Sequence, residues 1–183
     1  MATQIDAPET LATRRLVLRR ARVEDADAVS EEYAQDAEVT KYLVWRPHEN
    51  IEETREFFSG CEAKWKTGTE YTWAVTVNSE DRAVGMIAAR VVGHAVDIGY
   101  VLAKRFWGRG MMSEAAGAIV AWAIEQPRVF RVWAVCDAAN AASARVLEKA
   151  GMEREGLLRR WLVHPNISAE PRDCLVYAKV RAV

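Results

Sequence analysis

Asp97-Ile98-Gly99-Tyr100-Val101-Leu102-Ala103-Lys104-Arg105-Phe106-Trp107-Gly108-Arg109-Gly110-Met111-Met112-Ser113-Glu114-Ala115 runs from a strand through a glycine-containing loop into a helix. Gly108 and Gly110 permit tight backbone turns. The helix start at Met111 supplies unpaired N–H groups and the positive end of a macrodipole. That combination suits an anion, most simply phosphate, and Lys104, Arg105 and Arg109 add positive charge. The loop alone equally suits a turn that merely joins strand to helix. It is not a Walker loop, because no G-x-x-x-x-G-K-S/T occurs. It also departs from a dinucleotide fingerprint: Ser113 replaces the third glycine, and no acidic residue follows at about 20 residues. Gly99, inside the strand, marks a bulge or the close approach of another backbone.

Upstream, Tyr71, Trp73, Val75 and Val77 alternate with Thr72, Ala74 and Thr76, the pattern of a half-buried strand. Residues 83–92 form a nearly continuous apolar run, hence a central strand. With residues 96–102 these make an antiparallel meander. Asn50 and Glu53 form a capping-box-like start to a helix that ends at Gly68, with Phe58, Cys61 and Trp65 on its apolar stripe. Residues 23–35 read as a helix, 36–43 as a short helical piece and 44–48 as a loop. Leu16-Val17-Leu18, among Arg14, Arg15, Arg19 and Arg20, reads as an exposed, charge-protected edge strand or a nucleic-acid patch. Downstream come a strand at 131–135, a helix at 141–150 stopped by Gly151, and strands near 157–163 and 174–180. The expectation is an α/β (α+β) domain with a mixed sheet, residues 12–183, behind a flexible tail of residues 1–11.

Bulk composition narrows the function classes. The 183 residues carry 25 Lys and Arg against 26 Asp and Glu, a net charge of -1. No broad basic field exists, which argues against generic nucleic-acid binding, and no nucleic-acid partner is expected. Cys61, Cys136 and Cys174 form no C-x-x-C pair, and His48, His94 and His164 have no ligand spacing, so no metal is expected. The polar N-terminus lacks a signal peptide, and no apolar run is long enough for a membrane span. The chain reads as soluble and cytoplasmic, with no membrane partner.

The motifs then carry a resemblance. Residues 97–102 followed by Trp107-Gly108-Arg109-Gly110-Met111-Met112-Ser113-Glu114-Ala115 resemble motif A of the GNAT superfamily of acyl-CoA N-acyltransferases. Asn140-Ala141-Ala142-Ser143 through Leu147-Glu148-Lys149-Ala150-Gly151-Met152 resembles the motif that follows it. The set W-G-R-G, N-x-x-S and L-E-K-x-G is most similar to the RimJ/RimL-type branch. The resemblance implies a mostly antiparallel sheet with helices on both faces, splayed between the fourth and fifth strands, with acetyl-CoA in the cleft. It implies pyrophosphate on the amides of Arg109, Gly110, Met111, Met112 and Ser113 within the loop from Trp107 and Gly108. Pantetheine would pair with backbone at Tyr100, Val101 and Leu102 and with the Asn140 side chain. Met112 departs from the small residue usual at its position. The tyrosine that many members use as general acid falls on Leu147.

Acyl transfer to an amine requires loss of the amine proton, stabilisation of the tetrahedral oxyanion and departure of the thiolate. Ser143, one turn before Leu147, substitutes as the group beside the sulfur. Asp97 is the candidate relay for the amine proton, or simply an exposed strand residue. Asn140 also suits a plain N-cap. Trp45, His48, Tyr71 and Trp73 are candidate walls for the acceptor, a peptide N-terminus or a small amine, or ordinary packing residues. Two readings follow: an N-acetyltransferase acting by direct attack, monomeric or homodimeric, and a non-catalytic CoA-binding module acting as sensor or scaffold.

Overall fold

The computed structural model describes residues 5–78 and 80–182. Eight strands form one sheet in the order β1-β2-β3-β4-β5-β6-β8-β7. They are β1 Thr10–Ala12, β2 Leu16–Arg20, β3 Glu70–Val77, β4 Gly85–Val92, β5 Ala95–Leu102, β6 Arg131–Asp137, β7 Glu153–Val163 and β8 Pro171–Val180. Every neighbouring pair is antiparallel except β5 and β6. Those two are parallel and pair only at Ala95–Arg131, Val96–Val132 and Asp97–Trp133. Beyond Asp97 they part, so the sheet opens as a V towards the C-terminal end of β5.

The helices are α1 Ala26–Val29, α2 Ala37–Thr40, α3 Ile51–Thr67, α4 Met111–Glu125 and α5 Ala141–Lys149. A 3-10 turn at Val23–Asp25 precedes α1 and a π turn at Ser30–Ala34 follows it. Asn50 caps α3 by accepting from the Glu53 N–H at 3.1 Å, and Gly68 closes it at φ 69°. The Glu53 carboxylate takes the Glu49 N–H at 3.1 Å, one residue before the position a standard capping box would use.

Helices cover both sheet faces. Trp122 of α4 lies against Trp73, with ring centroids 5.2 Å apart, while Cys61 of α3 reaches Thr72. Adjacent strand residues point to opposite faces, so α3 and α4 flank β3. This strand is therefore buried on both sides rather than half-buried. Its Thr72 and Thr76 are tolerated inside because Thr76 Oγ1 donates to Val17 O at 3.1 Å and Thr72 Oγ1 donates to Glu70 Oε1 at 3.4 Å.

Two expectations about the start of the chain change. Strand β2 is not an edge: Leu16 and Leu18 are fully buried, and β1 lies outside it. The described part of the presumed tail is tied down. Ile5 is buried, Tyr71 Oη donates to Ile5 O at 2.7 Å and Trp73 Nε1 donates to Pro8 O at 2.9 Å. Arg15, Arg19 and Arg20 are ion-paired with Glu114, with Asp25 and Asp81, and with Glu9. Among the described residues, no helix is long and apolar enough to cross a membrane.

Candidate active site

The loop after β5 has the shape its glycines allow. Gly108 and Gly110 adopt φ 73° and 72°, a left-handed region that favours glycine. Gly110 is the N-cap of α4 and no side chain caps that end. The helical ladder opens with Glu114 N–H on Gly110 O at 3.1 Å. The N–H groups of Met111, Met112 and Ser113 therefore have no carbonyl four residues back within the helix. They form a concentrated donor set at the positive end of a 15-residue helix. Trp107, largely exposed, donates its indole N–H to Leu102 O at 2.7 Å and fixes the loop to the strand. Two of the three expected cations are engaged elsewhere, Lys104 with Glu38 and Arg105 with Glu32. Arg109 remains, over the Phe106 ring.

The backbone of β5 presents alternate residues to the opening. Antiparallel pairing directs the N–H and C=O of every second residue to one neighbour. Ala103 N–H bonds to Val84 O of the β4 side, while His94 O accepts from Phe130 N on the β6 side. Odd-numbered residues therefore face β4 and even-numbered ones face β6 or the splay. Ile98 and Tyr100 offer both backbone groups to the opening. Val101 is turned to β4, and the Leu102 carbonyl is taken by Trp107, so of the expected set Tyr100 keeps both groups and Leu102 its N–H. Gly99 marks no bulge, because the β4–β5 register is continuous through it. Its missing Cβ makes room for Arg90, whose guanidinium would lie 2.9 Å from that atom.

Across the V, α5 starts at Asn140, whose Oδ1 accepts from Ser143 N–H at 3.1 Å. This is the N-cap role, and it leaves the amide Nδ2 directed elsewhere. Ser143 Oγ lies 2.7 Å from the hydroxyl of Tyr100, which also donates to Ser143 O at 3.2 Å. A side chain from β5 thus spans the splay to the first turn of α5. Burial holds the Tyr100 phenol far above its ordinary range, so it stays protonated and serves as a fixed hydrogen-bond partner. Leu147 is fully buried.

Asp97 occupies the opposite face. Its Oδ2 accepts from Arg90 Nε at 2.7 Å, in the place opened by Gly99. Burial raises its carboxyl above the usual range, and Arg90 offsets part of that rise. The same face carries an apolar pocket lined by Val29, Tyr33, Ala34, Trp45, His48, Phe57 and Met86. Trp45 and His48 pack with ring centroids 5.0 Å apart, and His48 Nδ1 is 2.7 Å from Thr54 Oγ1. Asn166, in the β7–β8 turn, donates to Thr40 O at 2.7 Å and Trp45 O at 2.8 Å. Tyr71 and Trp73 are not walls of this site. Both are buried in an aromatic cluster with Trp65 and Trp122 on the α4 face.

A V-shaped splay beside an uncapped, glycine-started helix matches one family along most of the chain: residues 15–153 match the acetyltransferase (GNAT) domain. The chain belongs to the GNAT family. It is similar to the uncharacterized N-acetyltransferase p20 of Bacillus licheniformis, 29% identical over 82% of this chain and 86% of that one. It is similar to the [ribosomal protein uS5]-alanine N-acetyltransferase of Escherichia coli, 26% identical over 92% of this chain and 89% of that one. Its fold matches RimL, a ribosomal L7/L12 alpha-N-protein acetyltransferase solved with coenzyme A, at TM-score 0.81 and 22% identity. That match covers 94% of this chain and 98% of the other. The protein is an acetyl-CoA-dependent N-acetyltransferase of this family.

The GNAT site contains contacts that no local sequence pattern announces. Thr13 and Arg15 bind Glu114, about a hundred positions later. Tyr100 meets Ser143 across 43 positions and Asn166 meets Trp45 across 121. The cysteines offer no nucleophile. Burial pushes the Cys61 and Cys136 thiols up to about 11. Cys174, 3.8 Å from His164 Nε2, is buried and also raised.

Proposed function

We propose that this GNAT enzyme acetylates the primary amine of a peptide or protein N-terminus, with Ser143 and Asp97 working from opposite faces of the splayed sheet. The Tyr100–Ser143 bridge across the V carries this reading. It puts a hydroxyl, fixed by a permanently protonated phenol, beside the free backbone edge of β5. Acetyl-CoA supplies the acetyl group as a thioester. The amides of residues 109–113 hold its pyrophosphate, and the backbone of Ile98 and Tyr100 pairs with the pantetheine arm. The Asn140 amide donates to that arm through Nδ2. Ser143 hydrogen-bonds or protonates the departing sulfur, a modest demand because thiols ionise near 8.5. On the other face, Trp45 and His48 border the acceptor and Asp97 takes the amine proton through water.

A peptide N-terminus is favoured over a small amine by the likeness to the uS5-alanine acetyltransferase. Incubation with acetyl-CoA and a panel of peptides and small amines, followed by thiol release, tests the reading. Turnover is expected with peptides beginning in small residues. The Ser143→Ala variant is expected to lower kcat about 10²-fold, and an unchanged rate removes Ser143 from the chemistry. Acetyl-CoA binding that Gly110→Glu abolishes, without turnover on any acceptor, would instead establish a CoA-binding module.

A further inference from the structure

Glu114 poses an electrostatic problem at the phosphate loop. It is a carboxylate in the first turn of α4, on the helix end whose amides are to receive a doubly charged pyrophosphate. An uncompensated charge there would oppose the anion at short range. The structure surrounds it. Thr13 Oγ1 donates to Oε1 at 2.6 Å, Arg15 N–H donates to the same oxygen at 2.8 Å, and Arg15 Nε donates to Oε2 at 2.7 Å. Although burial alone would raise the Glu114 carboxyl, these bonds hold it below its usual value.

The same guanidinium continues into the loop. Arg15 Nη1 donates to Arg109 O at 2.8 Å. Nη2 lies 3.6 Å from where a Cβ of Gly110 would stand. Among the described residues Nη2 has no acceptor, and a third of the side chain is exposed. A cation already spent on a carboxylate thus lies beneath the anion site with one edge still open.

We propose that Arg15 is a positioning residue of the pyrophosphate site: it cancels the Glu114 charge, fixes the Arg109 carbonyl and presents Nη2 towards the phosphates. This rests on the reading that residues 109–113 hold the pyrophosphate. It assigns part of the cofactor site to the β1–β2 turn, outside both sequence motifs.

The test measures dissociation constants of the full chain by titration calorimetry, with coenzyme A and with S-acetylpantetheine, which lacks the phosphates. Arg15→Met is expected to weaken coenzyme A about tenfold and leave S-acetylpantetheine unchanged. Arg15→Lys, which keeps the charge but not the two directed side-chain bonds, is expected to lie between. The double variant Arg15→Met/Glu114→Gln removes the stranded carboxylate and is expected to bind coenzyme A more tightly than Arg15→Met alone. Equal weakening of both ligands, or a double variant no better than the single one, overturns the proposal. Ser113→Asp separates it from the underlying reading. The helix start favours the new carboxylate, so the protein folds while the site repels phosphate. If Ser113→Asp leaves coenzyme A binding intact, the loop assignment itself fails. If it abolishes binding while Arg15→Met does not, only the role of Arg15 fails.

Discussion

Asp97 is held between two influences, burial that favours its neutral form and Arg90 that favours its charge, and burial prevails. A base must be ionised to accept a proton, so activity falls as pH drops through this raised value. The acid limb of kcat/KM is expected above the ordinary carboxyl range near 4. Asp97→Asn is expected to remove that limb and to lower the rate about 10²-fold. A pH profile of both proteins, with a peptide acceptor at saturating acetyl-CoA, checks this. An unchanged limb in the variant assigns the base elsewhere. The N-cap at Asn140 was legible in the sequence because cap position is local. Arg90, Arg15 and the hydroxyl of Tyr100 were not legible, since each acts on a residue brought close only by tertiary pairing. Tyr71 and Trp73 misled for a related reason: strand alternation identifies a face but not what covers it.

At the scale of elements, the β6–α5 connection that carries Asn140 and Ser143 is held from outside by β7 and β8. Asp137, at the end of β6, is fully buried. It accepts from Arg172 Nε at 2.6 Å and from Ala139 N–H at 2.9 Å, with His164 Nε2 3.7 Å away. Burial alone would raise this carboxyl, yet the Arg172 and Ala139 bonds and the Arg172 charge bring it below its usual value. A depressed carboxyl contributes stability above its unfolded value, about 3.9, and that stability is lost as pH falls towards the folded value. Asp137→Asn leaves Arg172 without its charge partner and is expected to lower stability at neutral pH. Thermal melts at neutral and acid pH should show a lower Tm for the variant at pH 7 and a smaller gap to the wild type below about pH 4. A gap that does not shrink with acid would mean the charge is not the source. The start of helix α4 at Met111 was legible because Gly110 bounds its apolar stretch. The strands β7 and β8 extend further than their apolar residues suggest, to Glu153 and Pro171. Most of their added residues are charged, and Glu155 and Arg172 tie back to β6 through ion pairs with Arg131 and Asp137.

The whole sheet depends on an ordering that no stretch of sequence states. Strand β8 lies between β6 and β7, with seven register pairs to β6 from Arg131–Val180 to Asp137–Cys174. The meander β3–β4–β5 was readable because its turns are short. Insertion of the last strand inside the sheet is a long-range choice, driven by burial of Cys174, Tyr177 and Ala178. A chain ending at Val163 is expected to lose cooperative unfolding in urea and all coenzyme A binding, followed by circular dichroism and calorimetry. Retained binding would show that β1–β6 and α5 stand as an independent unit.

That placement has a consequence in time. A polypeptide emerges from its N-terminus, so the glycine loop before α4 and Ser143 are made well before the strand that secures the far side of their cleft. Translation must pass Val180 before β6 gains its outer neighbour. The cleft is therefore finished only once β8 has emerged, and a nascent copy without that strand has no finished cleft with which to modify anything.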